Sequence, residues 1–359
     1  MDIIDKFFKK LSTNGIEFIP RKSNHKIWNE EFAKLDYQPI EYSADMIDYQ
    51  NAYLAHNESN TYDLSIIILS GGKICGLWLL TALESKECLR LTSSGQPVLA
   101  PLFLDSTTRK QRKKICSNAM NCLINISDMG FQGPLVTCQG PIGINCDTVL
   151  TDWYRQGMEH NANVSVRHEM YIDLSLTLDE IRSYYRKSYK PFINKGLQEW
   201  ESSILTSLNI DKKKWNQFKH LHETASGRVT RNDSTWEKQY QMINSGRAFL
   251  VMLNDLNSKE FVGGGFFQTT RDEGLYSVGA YNRKLFDKPL GHVVQQIAIN
   301  HMKSLGLKWY KIGERHYLNN SSDISKKEID IAKFKEGFCT DMKCKFELSF
   351  TETENKKSL

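Results

Sequence analysis

No stretch of the 359-residue chain approaches the roughly 20 consecutive apolar residues that a membrane-spanning helix needs. The opening, Met-Asp-Ile-Ile-Asp-Lys, lacks the basic-then-apolar order of a secretory signal, so a cytoplasmic protein is expected. No Cys-x-x-Cys pair occurs among the eight cysteines (75, 88, 116, 122, 138, 146, 339 and 344), which read as reduced thiols holding neither zinc nor a disulfide. Neither a Gly-x-Ser-x-Gly elbow nor a cysteine motif offers a covalent nucleophile. Charge of one sign is also scarce: 47 basic residues against 42 acidic leave a net of +5, too mild by itself for a nucleic-acid protein. With no recognised nucleic-acid motif, a factor that binds through basic residues alone is disfavoured and DNA is not an expected partner.

What is present is enough core for two domains, since 40% of the residues are hydrophobic and 11% aromatic. Residues 1–60 read as a polar, irregular packing arm, apart from an amphipathic start at Ile3, Ile4, Phe7, Phe8 and Leu11. From Leu64 come two apolar runs around Ser-Gly-Gly-Lys, a hairpin by its turn chemistry, then a helix around Ile115, Ala119, Leu123 and Ile126. Gly130 and the strand-like Pro-Leu-Val-Thr complete that series.

The series returns downstream. Ala248 to Leu253 is followed by the glycine-loosened strand Phe-Val-Gly-Gly-Gly-Phe-Phe (Phe261 to Phe267) and by Gly-Leu-Tyr-Ser-Val-Gly-Ala-Tyr from Gly274. A helix bearing Leu290, Val294, Ile297, Ala298, His301 and Leu305 on one face then stops at Gly306, before the strand Leu-Lys-Trp-Tyr-Lys-Ile-Gly. Three glycines in an apolar strand signal a bulge or another group lying close to the backbone, so Gly263, Gly264 and Gly265 are expected to line a substrate cleft. Two passes through one order suggest a duplication, with a junction near Ser165 to Asp179.

Over roughly residues 165–345 the chain resembles the GNAT-like acyltransferase superfamily, and within it the Fem-type aminoacyltransferases, whose members carry two copies of the domain. The resemblance rests on Tyr185 to Gly196 (Tyr-Arg-Lys-Ser-Tyr-Lys-Pro-Phe-Ile-Asn-Lys-Gly), the glycine strand with Tyr276 and Gly279-Ala280, Tyr310 to Gly313, and Phe334 to Phe338 (Phe-Lys-Glu-Gly-Phe), in that order. It implies an α+β fold of two tandem GNAT-like domains, each a mixed, mostly antiparallel sheet flanked by helices. The expected bounds are 1–165 for a degenerate first copy with its helical arm and 166–359 for the acyltransferase domain. It also implies an enzyme that passes an acyl or aminoacyl group from acyl-coenzyme A or aminoacyl-tRNA, as co-substrate rather than tightly bound cofactor, to an amine. Two departures stand out. Lys288-Pro289-Leu290-Gly291-His292 has one glycine where coenzyme-A-dependent members carry a phosphate-gripping loop, and residues 196–216 are too few for the coiled-coil arm of some Fem-type proteins.

Amine acylation needs a path for the amine's proton and a positive or donor group for the oxyanion. The resemblance makes Lys335 a charge stabiliser near the donor; otherwise it is a solvated lysine on a terminal strand. Tyr276 is placed to donate or relay a proton, unless it is a satisfied core tyrosine. Glu314, at the carboxyl end of a strand, is the base candidate, and an adjacent or cross-strand ion pair, with Arg315 as the nearest partner, is its bland alternative. Arg228 and Arg231 are candidate clamps for an anionic substrate, in a loop that also ends in cap chemistry. Arg182, Arg186 and Lys190 recur every four residues and, with Lys187 and Lys195, make a stripe for tRNA or a nucleotide-linked sugar if one helix carries them, or else a solvated face. A second basic run, Arg109 to Lys114, opens a helix, where the macrodipole disfavours cations. The run His220-Leu-His-Glu223 is no metal site, because His220 and His222 point apart on a helix. The expected acceptor is a small molecule, an amino sugar or a cell-envelope precursor; the alternative function is a non-catalytic GNAT-like binding module in a polysaccharide pathway.

Overall fold

The structure, a computed structural model, describes residues 2–56, 60–133, 135–137, 151–317 and 324–350. Cys138 and Cys146 lie outside them; the other six cysteines are free thiols. Among the described residues no helix is long and apolar enough to cross a membrane. The chain forms two compact units, one of residues up to 166 together with the segment from 344, the other of residues 167–343.

In chain order the first unit contains α1 (Ile3–Thr13), β1 (Glu17–Pro20), α2 (His25–Ala33), α3 (Ala44–Leu54), β2 (Asn60–Asp63), β3 (Ile66–Ser70), β4 (Lys73–Trp78), β5 (Thr81–Glu84), β6 (Leu89–Thr92), β7 (Leu102–Phe103), α4 (Arg109–Ile124), β8 (Leu135–Thr137) and α5 (Asp152–Glu159). The expected hairpin is β3–β4, turned by Gly71 and Gly72 at positive φ. The expected irregular arm is corrected. Residues 17–54 supply a strand that pairs with β3 and two helices whose Trp28, Phe32 and Ile47 share a core with Ile67 and Leu77. Buried Arg21 ties this region together through Asp48 at 2.7 Å and Asp63 at 2.6 Å. At the start of α4 the basic run is partly spoken for, since the Arg112 guanidinium donates to the carbonyls of Leu104 and Thr107.

The second unit follows with β9 (Asn163–Asp173), α6 (Leu178–Tyr184), α7 (Tyr189–Glu199), β10 (Trp200–Leu205), α8 (Lys212–Ser226), α9 (Asp233–Asn244), β11 (Ala248–Asp255), β12 (Phe261–Thr269), β13 (Glu273–Tyr281), α10 (Leu290–Ser304), β14 (Trp309–Arg315) and α11 (Lys326–Glu336). Then β15 (Asp341–Ser349) leads back into the first unit, where Glu347 to Ser349 pair with β8. The sheet of the second unit runs β10-β11-β12-β13-β14-β9. All its pairs are antiparallel except β13–β14. A parallel pair needs a long crossover, and α10 supplies it. Through Val294 and Ala298 this helix packs with Phe249, Val251 and Phe267 on one face of the sheet. On the other face Phe266 meets Trp215 of α8, with ring centroids 5.7 Å apart.

Two expectations on helices are corrected here. Arg182, Arg186 and Lys190 do not share one helix, because Tyr185 is extended at φ −59°, ψ 143° and separates α6 from α7. Pro191 falls in the first turn of α7, where its missing N–H costs nothing. Lys335 sits not on a terminal strand but in the last turn of α11, a helix opened by a Ser325–Glu328 capping box.

Candidate active site

The three glycines of β12 are explained by the protein itself. A Cβ on Gly265 would lie 2.8 Å from Val294 Cγ1 of α10, one on Gly263 2.8 Å from Tyr281 Cδ1, and one on Gly264 2.6 Å from the Val251 carbonyl oxygen. The group that approaches this backbone is therefore α10 with its neighbouring strands. β12 is also paired along its length with both β11 and β13.

The opening lies one strand away. β13 and β14 pair only from Glu273–Trp309 to Leu275–Lys311, although β13 runs on to Tyr281 and β14 to Arg315. Both strands carry an irregularity where the ladder ends. On β13 the pairing with β12 skips Ser277, and on β14 the pairing with β9 skips Ile312, next to Gly313 at φ +147°. Such bulges re-aim side chains and end pairing. The parallel strands thus part at their carboxyl ends.

Lys335 reaches into that parting. Its Nζ is 5.3 Å from the centre of the Tyr276 ring on β13. A Cβ on Gly313 of β14 would fall 2.8 Å from the same atom, so only glycine leaves room for the ammonium there. Burial disfavours the charged form and brings the Lys335 pKa down to about 8, against the opposing pull of the Glu314 carboxylate. Glu314 is half-buried and accepts from Arg167 Nη1 at 3.4 Å. Arg315 instead pairs with Glu336 at 3.0 Å and donates to the His316 carbonyl. The adjacent pair with Arg315 is not formed, but the cross-strand form of the bland alternative is met by Arg167 of β9.

Tyr276 is joined by a residue the sequence reading missed. Its hydroxyl lies 3.0 Å from that of Tyr281, and the Tyr276 hydroxyl occupies the space where Gly279 lacks a side chain. Burial pushes Tyr276 up to about 12 and Tyr281 well above the usual phenol range, so both stay protonated at neutral pH. Lys335, Glu314, Tyr276 and Tyr281 thus frame one opening with a cation, a carboxylate and two phenols.

Other expected residues lie elsewhere. Arg231 is buried with its guanidinium 4.7 Å from the centre of Trp236, and it donates to Gln239 at 3.4 Å, on the sheet face that meets α8 and α9. Arg228 is exposed on the turn after α8. Lys187 is exposed and Lys190 half-buried. Arg182 and Arg186 are held by Gln296, Asn194, Tyr189 and the Lys333 carbonyl. At the first turn of α10, His292 lies among the rings of Tyr189 (4.5 Å), Phe334 (5.0 Å) and Phe192 (5.4 Å), and burial lowers its pKa to about 4. His222 packs on Trp236 at 5.2 Å, and no cluster of metal-binding residues occurs among the described residues.

No family model and no curated protein matches the chain. Solved structures do. FemX aligns at a TM-score of 0.61 with 10% identity, covering 90% of this chain and 95% of its own. The C-terminal domain ascribed to a lysylphosphatidylglycerol synthetase of Agrobacterium fabrum aligns at 0.57 with 7% identity, over 86% and 87%. L-PGS from Bacillus licheniformis aligns at 0.53 with 10% identity, over 85% and 86%. The fold is GNAT-like, of the Fem type. Identities so low speak for architecture alone, and function must be argued from the opening between β13 and β14.

Proposed function

We propose that the second unit is an N-acyltransferase that moves an acyl or aminoacyl group from an acyl-coenzyme A or aminoacyl-tRNA to an amine of a small molecule, an amino sugar or a cell-envelope precursor. One observation carries the reading: a lysine with a lowered pKa stands between two parallel strands at the place where their pairing ends. In the proposed step the acceptor nitrogen attacks the donor carbonyl, a C–N bond forms, and the carbonyl electron pair moves onto oxygen beside the Lys335 ammonium. Glu314 takes the proton released by the amine. Collapse restores the carbonyl and breaks the bond to the thiolate or ribose oxygen. That leaving group takes a proton from the Tyr276–Tyr281 pair, which is reprotonated from solvent. The full chain with Lys335→Ala tests this: a loss of about 100-fold or more in acyl transfer is expected, the scale of a lost oxyanion donor. Unchanged turnover in a folded variant removes Lys335 from the mechanism.

Between the two donors, the first turn of α10 favours the aminoacyl ester. A Cβ on Gly291 would lie 3.2 Å from the Phe334 ring, and His292 is enclosed by aromatic rings. Apolar groups stand where the resemblance implies a diphosphate grip. Lys187 and Lys190 then serve as contacts for a nucleic-acid backbone. A thermal-shift series separates the donors by mass action: tRNA is expected to raise the melting temperature and acetyl-coenzyme A to leave it unmoved. The reverse result makes the thioester the donor.

A further inference from the structure

The acyl-transfer reading leaves unused a buried polar cluster on the opposite face of the sheet. Gln239 is 0% exposed, Trp236 and Gln268 are 2% exposed, and Arg231 is 9% exposed. Register places Gln268 on the same face of β12 as Phe266, opposite Phe267 and the β13 phenols. Phe266 touches Trp215, whose ring is 5.8 Å from Trp236, so Gln268 looks into the layer made by α8 and α9. There Arg231 lies on Trp236 and donates to Gln239 Oε1, and His222 closes the other edge of the Trp236 ring.

Among the described residues Trp236 Nε1, Gln239 Nε2, His222 Nδ1, Thr230 Oγ1 and both carboxamide atoms of Gln268 make no hydrogen bond. Buried polar atoms are almost always paired, so this many in one layer call for a partner from outside the chain. The chemistry of the unmet atoms describes it. An indole N–H and a carboxamide N–H₂ donate only, and a guanidinium forms part of the same wall, which suits a carboxylate. Gln268 offers a donor and an acceptor together, and Thr230 adds a hydroxyl, which suits ligand hydroxyl groups. Burial and the nearby Arg231 lower the His222 pKa to about 4, so its imidazole is neutral and free to donate or accept.

We infer that the layer between α8, α9 and β12 binds a small hydroxylated carboxylate, with Arg231, Trp236 and Gln239 on its carboxylate and Gln268 and Thr230 on its hydroxyls. The turn of residues 227–229, which leads from α8 to Thr230, is exposed. This site does not depend on acyl transfer, because it lies on the other face from Lys335.

The test is calorimetric titration of the full chain with D-glucuronate, D-galacturonate, D-gluconate and L-lactate, with D-glucose as the uncharged control. At least one carboxylate is expected to bind and D-glucose is not. Gln268→Leu, close in shape, is expected to raise the melting temperature while weakening that carboxylate about tenfold or more, the scale of one lost hydrogen bond. Trp236→Phe, which removes the pyrrole half of the indole with its N–H and keeps an aromatic ring beside Arg231, is expected to weaken it similarly. Lys335→Ala should bind as the unaltered protein does, whether or not the acyl-transfer reading survives. No heat with any of the four carboxylates, equal binding of D-glucose, or undiminished binding in both Gln268→Leu and Trp236→Phe overturns the inference.

Discussion

At the scale of single residues, Lys335 carries opposed demands. Its ammonium is protonated up to about pH 10.5 in the unfolded chain but only to about pH 8 in the fold. Between those values the unfolded state holds more protons, so stability rises with pH across the window, and below about pH 8 the buried cation costs stability. Lys335→Met should therefore raise the melting temperature at pH 7 while abolishing acyl transfer, and its stability advantage should shrink toward pH 10.5. A variant less stable than the parent at pH 7 contradicts this account of the site. The same titration shapes the rate. If the charged form stabilises the oxyanion, kcat/KM falls as pH rises through about 8. Glu314 supports the ammonium, so Glu314→Gln should move the falling limb of its residual activity to lower pH. A limb that stays in place shows that the carboxylate does not feel Lys335.

At the scale of elements, legibility depended on whether a regular period governed the stretch. The order of hairpin, glycine strand, amphipathic helix and strand could be read because α10 keeps its helical period and Gly306 at φ +76° marks the helix end. Tyr281 could not be read. Tyr276 and Tyr281 are five apart, which in a regular strand puts them on opposite faces; one extra residue at Ser277 turns both to the same face. The arginine stripe failed for a related reason, since four-residue spacing says nothing about the extended Tyr185 between two helices. In residues 17–54 the helices are held by contacts to distant strands, such as Trp28 with Leu77, and local pattern underrates elements of that kind. The glycine strand gave the right alarm and the wrong cause. Its tightness serves helix packing, so Gly265→Ala should cost about 1–3 kcal/mol of stability by overpacking against Val294 and Phe267. Val294→Ala in the same chain should recover part of that loss in denaturant unfolding. A Gly265→Ala protein of normal stability with altered substrate affinity points back to a ligand at this backbone.

At the scale of the whole molecule, the chain's end belongs to its beginning. Residues 167–343 form a unit whose sheet carries the parting strands and Lys335, yet the segment after it returns to the first unit. Leu348 is fully buried in the core that holds Phe7, Leu11, Trp78 and Trp153, and its neighbours Glu347 and Ser349 pair with β8. Leu348→Ala opens a cavity beside Gly157 and Met120 and should cost about 2–5 kcal/mol. Because the side chain packs into the first unit, the loss should appear as faster amide exchange in β3, β4 and α4. Exchange in those elements at the unaltered rate, in a protein measurably destabilised, assigns residues 344–350 to the second unit and redraws the division of the chain.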